Sequence, residues 1–365
     1  MMGFRRFIVL LIGLLVLFIG INALLWFTWV REISSPTRKG GDLVRMGYIP
    51  GLVVPRQNIT DLPARHIDIR NYDRKPVDMV TVGDSFSIGG GHGRNSHYQD
   101  YIASLHGLRV LNVPSYVHKG QALEFQPVVM LSRLISSGYL DIMKPRYLLL
   151  ESIGRLAVPR LTTEFSLNER ATIEEIDRYF RENSFDASLQ EGGGDLRFIN
   201  NGNWQFLANT LQYRYRDHAR GSKVLMTRLS KPLFTSPAGD RLILYQDDFY
   251  ATAQVTPESI ALLNSNLNRI AAILREKGIT LIFMPIVDKL DLYSPYLLSK
   301  GYPRNRFFDE LRTLPKDYLF IDTKAILSPL LREGEMDVFF QDDTHWNWKA
   351  SQAVFEHVRF GEGKR

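Results

Sequence analysis

A serine lies far in sequence from a histidine and two aspartates that together could activate its hydroxyl group. Ser85 follows the apolar run "VDMVTV" within "GDSF", and Asp342, Asp343 and His345 stand close together in "FFQDDTHW". A serine hydroxyl is a poor nucleophile until a base removes its proton, and the base needs an acid that fixes its tautomer and orientation. The residues therefore predict serine acyl chemistry, provided that the fold brings the two ends of the chain together.

The spacing of the acidic residues leaves two geometries open. Asp343 and His345 are two residues apart, so an extended backbone points both to the same side. Asp342 and His345 are three apart, so a helical turn pairs those two instead. The simpler alternatives are that the aspartates cap the following helix and that His345 is an ordinary surface histidine.

The elements that must position these residues follow an alternating pattern. Strand-like runs at 77–82, 108–113, 147–152, 279–284 and 318–322 are separated by helical patterns. This alternation predicts a three-layer α/β/α domain with a mostly parallel sheet. Sites in such sheets form at the carboxyl ends of the strands, where Ser85 falls.

The clearest helix begins after Thr256, a good cap, and ends before Gly278. Its apolar positions repeat at helical spacing on one face. They are Ile260, Leu263, Leu267, Ile270 and Leu274.

The N-terminus predicts a membrane anchor. Residues 7–30 are uncharged and almost wholly apolar, which is long enough to cross a bilayer. Arg5 and Arg6 precede this run, so the positive-inside tendency puts the N-terminus in the cytoplasm and the remaining residues outside. A cleaved signal peptide is the alternative.

The domain boundaries follow from these patterns. We expect an anchor at 1–31, a tether and entry segment at 32–75, and one catalytic domain at 76–365. Residues 157–255 have weaker periodicity and predict an insertion or lid, unless they are a poorly patterned part of the core.

Composition excludes several classes of site. The chain has no cysteine, so disulfides, thiolate metal sites and a cysteine nucleophile are excluded. The formal net charge is +6 without a dense Lys/Arg run, so we predict no nucleic-acid partner. The basic and aromatic residues of 213–223 are either a contact for an anionic polysaccharide or a solvated helix face.

Two other groups of residues could suggest a phosphate-binding loop and a metal site. "IGGGHGR" (88–94) lacks the ending of a phosphate-binding loop, and a flexible rim beside Ser85 is the preferred interpretation. His92 and His97, taken with the C-terminal acidic residues and His345, match no metal-ligand spacing. We therefore predict neither a metal nor a cofactor.

The two end motifs carry a family resemblance. "GDSF" after the first predicted strand and "DTHW" near the C-terminus resemble the SGNH hydrolase superfamily, in particular its alginate O-acetyltransferase-like branch with a D-x-H-W motif. The resemblance spans roughly residues 77–360 without most of the insertion. It implies Ser85 as nucleophile, His345 as base and Asp343, or alternatively Asp342, as the acid.

The resemblance also implies supporting residues. Gly120 in "NVPSYVHKG" would join the Ser85 backbone N–H in the oxyanion hole. The block that usually supplies an asparagine has Glu151, Ser152 and Arg155 here and no asparagine, and Arg155 is a candidate third donor. Lys289 in "MPIVDKLDLY" and Trp346 are candidate substrate-binding residues, with a core tryptophan as the alternative for Trp346.

The function implied by the resemblance is O-acetylation of an extracytoplasmic polysaccharide. The acetyl group would come from a separate multi-spanning membrane acyltransferase, and the domain would lie on the periplasmic side of a bacterial cytoplasmic membrane. An esterase with the same triad, or a non-catalytic polysaccharide-binding or assembly protein, are the alternatives.

Overall fold

A computed structural model describes residues 2–34, 40–50, 60–91, 93–117, 125–182 and 197–361, and the structural statements below concern these residues. The strands within them are β1 (Ile67–Asp68), β2 (Met79–Val82), β3 (Val110–Val113), β4 (Tyr116–Val117), β5 (Phe125–Gln126), β6 (Tyr147–Ile153), β7 (Val224–Arg228), β8 (Arg241–Tyr245), β9 (Thr280–Ile286) and β10 (Leu319–Phe320).

Six of these strands form one fully parallel sheet in the order β1-β3-β2-β6-β9-β10. The central strands are buried along almost their whole length. Parallel strands covered on both faces appear in a sequence as continuous apolar runs. The predicted α/β class with a parallel sheet is confirmed, and the short, polar edge strand β1 is an addition that the apolar runs did not predict.

The helices within the described ranges are α1 (Met2–Leu25), α2 (Arg31–Ile33), α3 (Asp42–Gly47), α4 (Tyr98–His106), α5 (Pro127–Ser137), α6 (Tyr139–Met143), α7 (Gly154–Leu161), α8 (Ile173–Glu182), α9 (Asn201–Gln212), α10 (Gln246–Tyr250), α11 (Pro257–Glu276), α12 (Lys289–Tyr293), α13 (Phe307–Thr313), α14 (Thr323–Glu333) and α15 (Trp348–His357).

The strand order places Ser85 at a change of direction in the sheet. The crossover from β2 to β3 and the crossover from β3 to β6 run in opposite directions, so their helices α4 and α5 lie on opposite faces. Helix α15 packs with α4 and α14 packs with α15, whereas α7 and α11 pack with each other and against β9. Ser85 follows β2, at the position where ligand sites form in open α/β sheets.

Helix α11 forms for the reasons that its sequence indicates. The Thr256 hydroxyl accepts the Ser259 backbone N–H at 3.1 Å, and the Ser259 hydroxyl accepts the Thr256 N–H at 3.0 Å. These reciprocal bonds satisfy donors that the first turn otherwise leaves unpaired. The five predicted apolar positions of its stripe are all 0% exposed.

The N-terminal helical stretch Phe4–Ile33 is the one in the described part of the chain that is long and apolar enough to cross a membrane. Its C-terminal end is not isolated from the rest of the protein. It joins α3, α9 and the antiparallel β7–β8 hairpin in a second apolar cluster. The buried members of this cluster are Leu25, Trp26, Val30, Ile33, Leu43, Val44, Ile49, Phe206, Val224 and Ile243.

This second cluster changes the expected role of two segments. Residues 40–50, predicted as part of a tether, are packed because Leu43 and Val44 bury their side chains. Within 157–255, α8, α9, α10 and the β7–β8 hairpin lie outside the six-stranded sheet. Whether this segment serves as a lid stays a prediction.

Adjacent leucines on α11 provide a matched test of the core. Leu263 is 0% exposed and Leu262 is 49% exposed. We expect Leu263→Ala to lower the free energy of unfolding by about 2–5 kcal/mol, because it leaves a cavity. Leu262→Ala should stay within about 0.5 kcal/mol of wild type. Denaturant unfolding of the full chain in detergent measures both, and equal losses would contradict the assigned helix face.

Candidate active site

Ser85, His345 and Asp343 form a continuous chain of hydrogen bonds. The Ser85 Oγ lies 2.7 Å from His345 Nε2, and His345 Nδ1 lies 2.6 Å from Asp343 Oδ1. Ser85 is partly exposed, whereas His345 and Asp343 are 8% and 3% exposed. The nucleophile candidate therefore faces solvent while the groups that would activate it lie behind it.

A tight turn selects Asp343 as the partner of His345. The Phe340 N–H donates to the His345 carbonyl at 3.2 Å, and the Asp343 N–H donates to the Phe340 carbonyl at 3.4 Å. Within this turn Asp343 Oδ1 accepts the His345 backbone N–H at 3.1 Å as well as the ring N–H. Asp side chains commonly bond the backbone two residues ahead in turns. The backbone is neither fully extended nor helical here.

Asp342 has a different partner. Its Oδ2 accepts the Gly41 N–H at 2.9 Å, and its carbonyl accepts the Leu43 N–H at 3.1 Å. A Cβ at Gly41 would lie 2.0 Å from that carbonyl oxygen, so only glycine fits. Asp342 thus anchors the start of α3 and is not paired with the histidine.

Asp42 is a member of the site that sequence reasoning missed. Its N–H donates to Asp343 Oδ2 at 3.2 Å, and its carboxylate accepts the Thr344 N–H at 2.8 Å and the Thr344 hydroxyl. Its Oδ2 also lies 3.9 Å from His345 Nδ1. Asp42 and Asp343 are 301 residues apart, and no local spacing relates them.

The two carboxylates set the charge preference of the histidine. Burial opposes an imidazolium, but the hydrogen bond and charge of Asp343, together with the charge of Asp42, raise the pKa of His345 above its usual 6.5. Burial and the neighbouring charge of Asp343 raise the pKa of Asp42 to about 6. A base of raised pKa takes a proton more readily, and its neutral form becomes dominant only at higher pH.

Lys289 holds the turn from inside the protein. Its side chain is 2% exposed, and its ammonium donates to the carbonyls of Phe340, Gln341 and Asp343 at 2.7, 2.9 and 3.1 Å. Burial lowers the pKa of Lys289 to about 8. An ammonium has three donors, and these three carbonyls use all of them. The arrangement therefore corrects the expectation that Lys289 contacts substrate.

Buried polar groups fix the backbone just before Ser85. Asp84 Oδ2 accepts Arg160 Nη1 at 2.7 Å and the Ile153 N–H at 2.9 Å. Burial alone would raise the pKa of Asp84, but Arg160 and the Ile153 N–H hold it below its usual value. A buried carboxylate with these partners is satisfied in its charged form.

Glu151 supports the same turn as a second buried acid. Its Oε2 accepts the Asp84 N–H and the Ser87 hydroxyl, each at 2.9 Å. Burial and the nearby charge of Asp84 raise the pKa of Glu151 well above its usual value. A Cβ at Gly83 would lie 2.2 Å from Glu151 Oε2, so the glycine of "GDSF" is needed for this close approach.

The glycines of 88–94 are packed beside the histidine. A Cβ at Gly90 would lie 2.2 Å from His345 Nε2, and one at Gly91 would lie 2.6 Å from the Phe340 ring. Gly90 and Gly91 thus pack closely at the site, and the flexibility of the rim stays a prediction. Ser85 and its neighbours therefore need small residues on this side.

The predicted oxyanion donors Ser85 and Arg155 differ in whether their N–H groups are free to bind an oxyanion. Within the described residues no acceptor takes the Ser85 backbone N–H, so it remains available to an oxyanion. Gly120 lies outside the described residues. The Arg155 N–H donates to Asp288 Oδ1 and its guanidinium to Asp248 Oδ1, both at 3.1 Å. These bonds correct the expectation that Arg155 is an oxyanion donor, because its N–H and its guanidinium donate to carboxylates instead.

Trp346 belongs to the core. It is 3% exposed and meets the Phe86 ring edge-on, with centroids 5.4 Å apart. The alternative of a core tryptophan is therefore the one that the structure supports.

One group of side chains has metal-ligand chemistry. Ligand atoms of Asp42, Asp343 and His345 lie within 4.8 Å of one another. In the structure these atoms already bond one another, Thr344 and Ser85. His97 lies elsewhere, with its ring 4.7 Å from that of His66, and His92 lies outside the described residues.

Comparison of the chain with protein-family models, curated proteins and solved structures found no match. The functional conclusion therefore rests on the geometry of Ser85, His345 and Asp343. A hydroxyl bonded to an imidazole, which is bonded to a buried carboxylate, is able to accept and pass on an acyl group.

The negative charges of Asp42 and Asp343 beside His345 predict how its pKa changes when either is removed. Replacing either carboxylate by an amide removes negative charge beside His345, so the pKa of His345 should fall in both Asp42→Asn and Asp343→Asn. The fall should be larger for Asp343→Asn, because this change also disturbs the 2.6 Å hydrogen bond.

NMR of ¹⁵N-labelled histidine rings over pH measures these shifts. Asp317→Asn, at a carboxylate with 59% side-chain exposure, is the control. An unchanged His345 titration in Asp42→Asn would contradict the proposed coupling.

Proposed function

We propose that this protein is a membrane-anchored serine O-acyltransferase. It carries an acetyl group on Ser85 and transfers it to a hydroxyl of an extracytoplasmic polysaccharide. The single observation that carries the proposal is the hydrogen-bonded chain from Asp343 through His345 to Ser85.

The first half-reaction loads the enzyme. Ser85 Oγ gives its proton to His345 Nε2 and bonds the acyl carbonyl carbon of the donor, whose oxygen becomes the oxyanion. The Ser85 N–H donates to that oxygen, and a donor of this kind contributes about 10²–10³-fold to kcat. The bond to the leaving group then breaks, and His345 returns the proton to it.

The second half-reaction reverses these roles. An acceptor hydroxyl gives its proton to His345 and bonds the acyl carbon, the bond to Ser85 Oγ breaks, and His345 reprotonates the serine. Asp343 stays ionised throughout and stabilises the imidazolium. Since His345 must be neutral to act, its raised pKa predicts that activity increases with pH through a value above 6.5.

Acetyl transfer to a polysaccharide is supported by the resemblance of "GDSF" and "DTHW" to the alginate O-acetyltransferase-like branch. An anchor at α1 would keep Ser85 beside a membrane protein that supplies the acyl group. Arg5 and Arg6 before the apolar stretch support an N-terminus in the cytoplasm and a domain outside it.

An esterase is the second candidate, because water in place of the acceptor hydroxyl completes the same cycle. A non-catalytic binding protein is less well supported, because such a protein needs no complete, hydrogen-bonded triad.

The acyl-enzyme is directly detectable. We expect the full chain in detergent to gain one acetyl group from a chromogenic acetyl ester, detected by intact-protein mass. Ser85→Ala should lose this adduct and about 10³-fold or more of the turnover, because the nucleophile is gone. Ser299→Ala, at an exposed serine outside the site, is the matched control.

Adding acceptor oligosaccharides separates the two candidates. Acetylated oligosaccharide formed only with an intact Ser85 supports transfer, and free acetate alone supports an esterase. Equal inertness of wild type and Ser85→Ala would contradict both.

A further inference from the structure

Helix α9 presents an apolar face that the other described residues leave exposed. Trp204, Leu207 and Leu211 lie at helical spacing and are 40%, 46% and 57% exposed. The opposite face is buried through Asn203, Phe206 and Asn209. We call the three exposed residues the outer face of α9.

The buried face of α9 lies directly against α1 and the helical segment Trp26–Val30 that follows it. Asn203 Nδ2 donates to Asn22 Oδ1 at 2.9 Å, and the rings of Phe206 and Trp29 stack with centroids 5.4 Å apart. Asn22 is 0% exposed and stands within the apolar stretch. A polar residue in a membrane-crossing helix needs such a partner.

The outer face continues the apolar surface of α1. The Trp204 ring stacks on that of Phe18, with centroids 6.0 Å apart. Phe18 lies about 12 Å before Trp26 along the helix axis, at 1.5 Å per residue. Trp204 is therefore level with a part of α1 that a bilayer would surround.

The residues after α9 have the composition of a membrane interface. Tyr215 is 81% exposed, and Arg214 and Arg216 beside it are exposed. Tyrosines are enriched at membrane interfaces, and arginines there attract anionic headgroups. Arg214, Tyr215 and Arg216 therefore have the chemistry of residues that contact a lipid surface.

We propose that the outer face of α9 inserts into the leaflet that surrounds the C-terminal half of α1. The domain would then be held on the bilayer at two points rather than by a single free tether. The inference rests on the proposed membrane crossing by α1 and is independent of the chemistry at Ser85.

The absence of cysteine allows clean spin labelling of the full chain. Single variants Leu207→Cys, Leu262→Cys and Val16→Cys carry a nitroxide in nanodiscs of equimolar phosphatidylcholine and phosphatidylglycerol. Val16 on α1 is 64% exposed and reports the anchor, and Leu262 on α11 reports a surface expected in water. Unchanged thermal unfolding of each labelled variant shows that it is folded.

We expect the ratio of oxygen to nickel-chelate accessibility to be several-fold higher at Leu207 than at Leu262, and high at Val16. A Leu207 ratio equal to that of Leu262, with Val16 still high, would overturn the inference and leave the anchor standing. Low ratios at both Leu207 and Val16 would overturn the inference together with the anchor. Spin–spin broadening at Leu207 that disappears on mixing with unlabelled protein would overturn the inference in favour of a second copy on this face.

Discussion

The candidate site depends on the hydrogen bonds that the buried ammonium of Lys289 donates. The ammonium gathers the carbonyls of Phe340, Gln341 and Asp343 into one turn, and this turn directs the Asp343 carboxylate at His345. A charged lysine inside a protein is costly unless its donors are satisfied. The three carbonyls and the nearby carboxylates offset that cost, so the turn and the lysine stabilise each other. A catalytic hydrogen bond needs such support from its surroundings, because small displacements of the reacting groups have large effects on rate.

The same turn connects the site to the segment that follows the apolar N-terminal helix. Gly41 and Asp42 bond Asp342, Asp343 and Thr344, while Leu43 and Val44 pack with the end of the apolar N-terminal helix. The triad itself comes from two distant parts of the sequence, and a third part, around Asp42, bonds its acid. Helix α3 therefore contacts both the acid of the site and the end of the apolar N-terminal helix.

The sequence predicted what local periodicity and residue chemistry determine. The buried parallel strands appear as apolar runs, and α11 has its cap and its stripe in the sequence. The choice of Asp343 over Asp342 depends on a turn whose shape comes from Lys289 and α3, which no spacing rule describes. Asp42 was missed because its neighbours are remote in sequence. The family resemblance of "MPIVDKLDLY" suggested Lys289 as a substrate-binding residue, and a lysine after a strand has no sequence feature that distinguishes a buried ammonium from an exposed one.

The most direct test of the account is covalent labelling of the full chain with a fluorophosphonate, followed by peptide mapping. Such a reagent modifies a serine whose hydroxyl is activated by a neighbouring base. We expect one modified residue, Ser85, in wild type and loss of that modification in His345→Ala. Ser87 serves as an internal control on the same peptide, since it is 1% exposed and its hydroxyl bonds Glu151. Modification of a different serine, or equal modification of Ser85 in His345→Ala, would contradict the account.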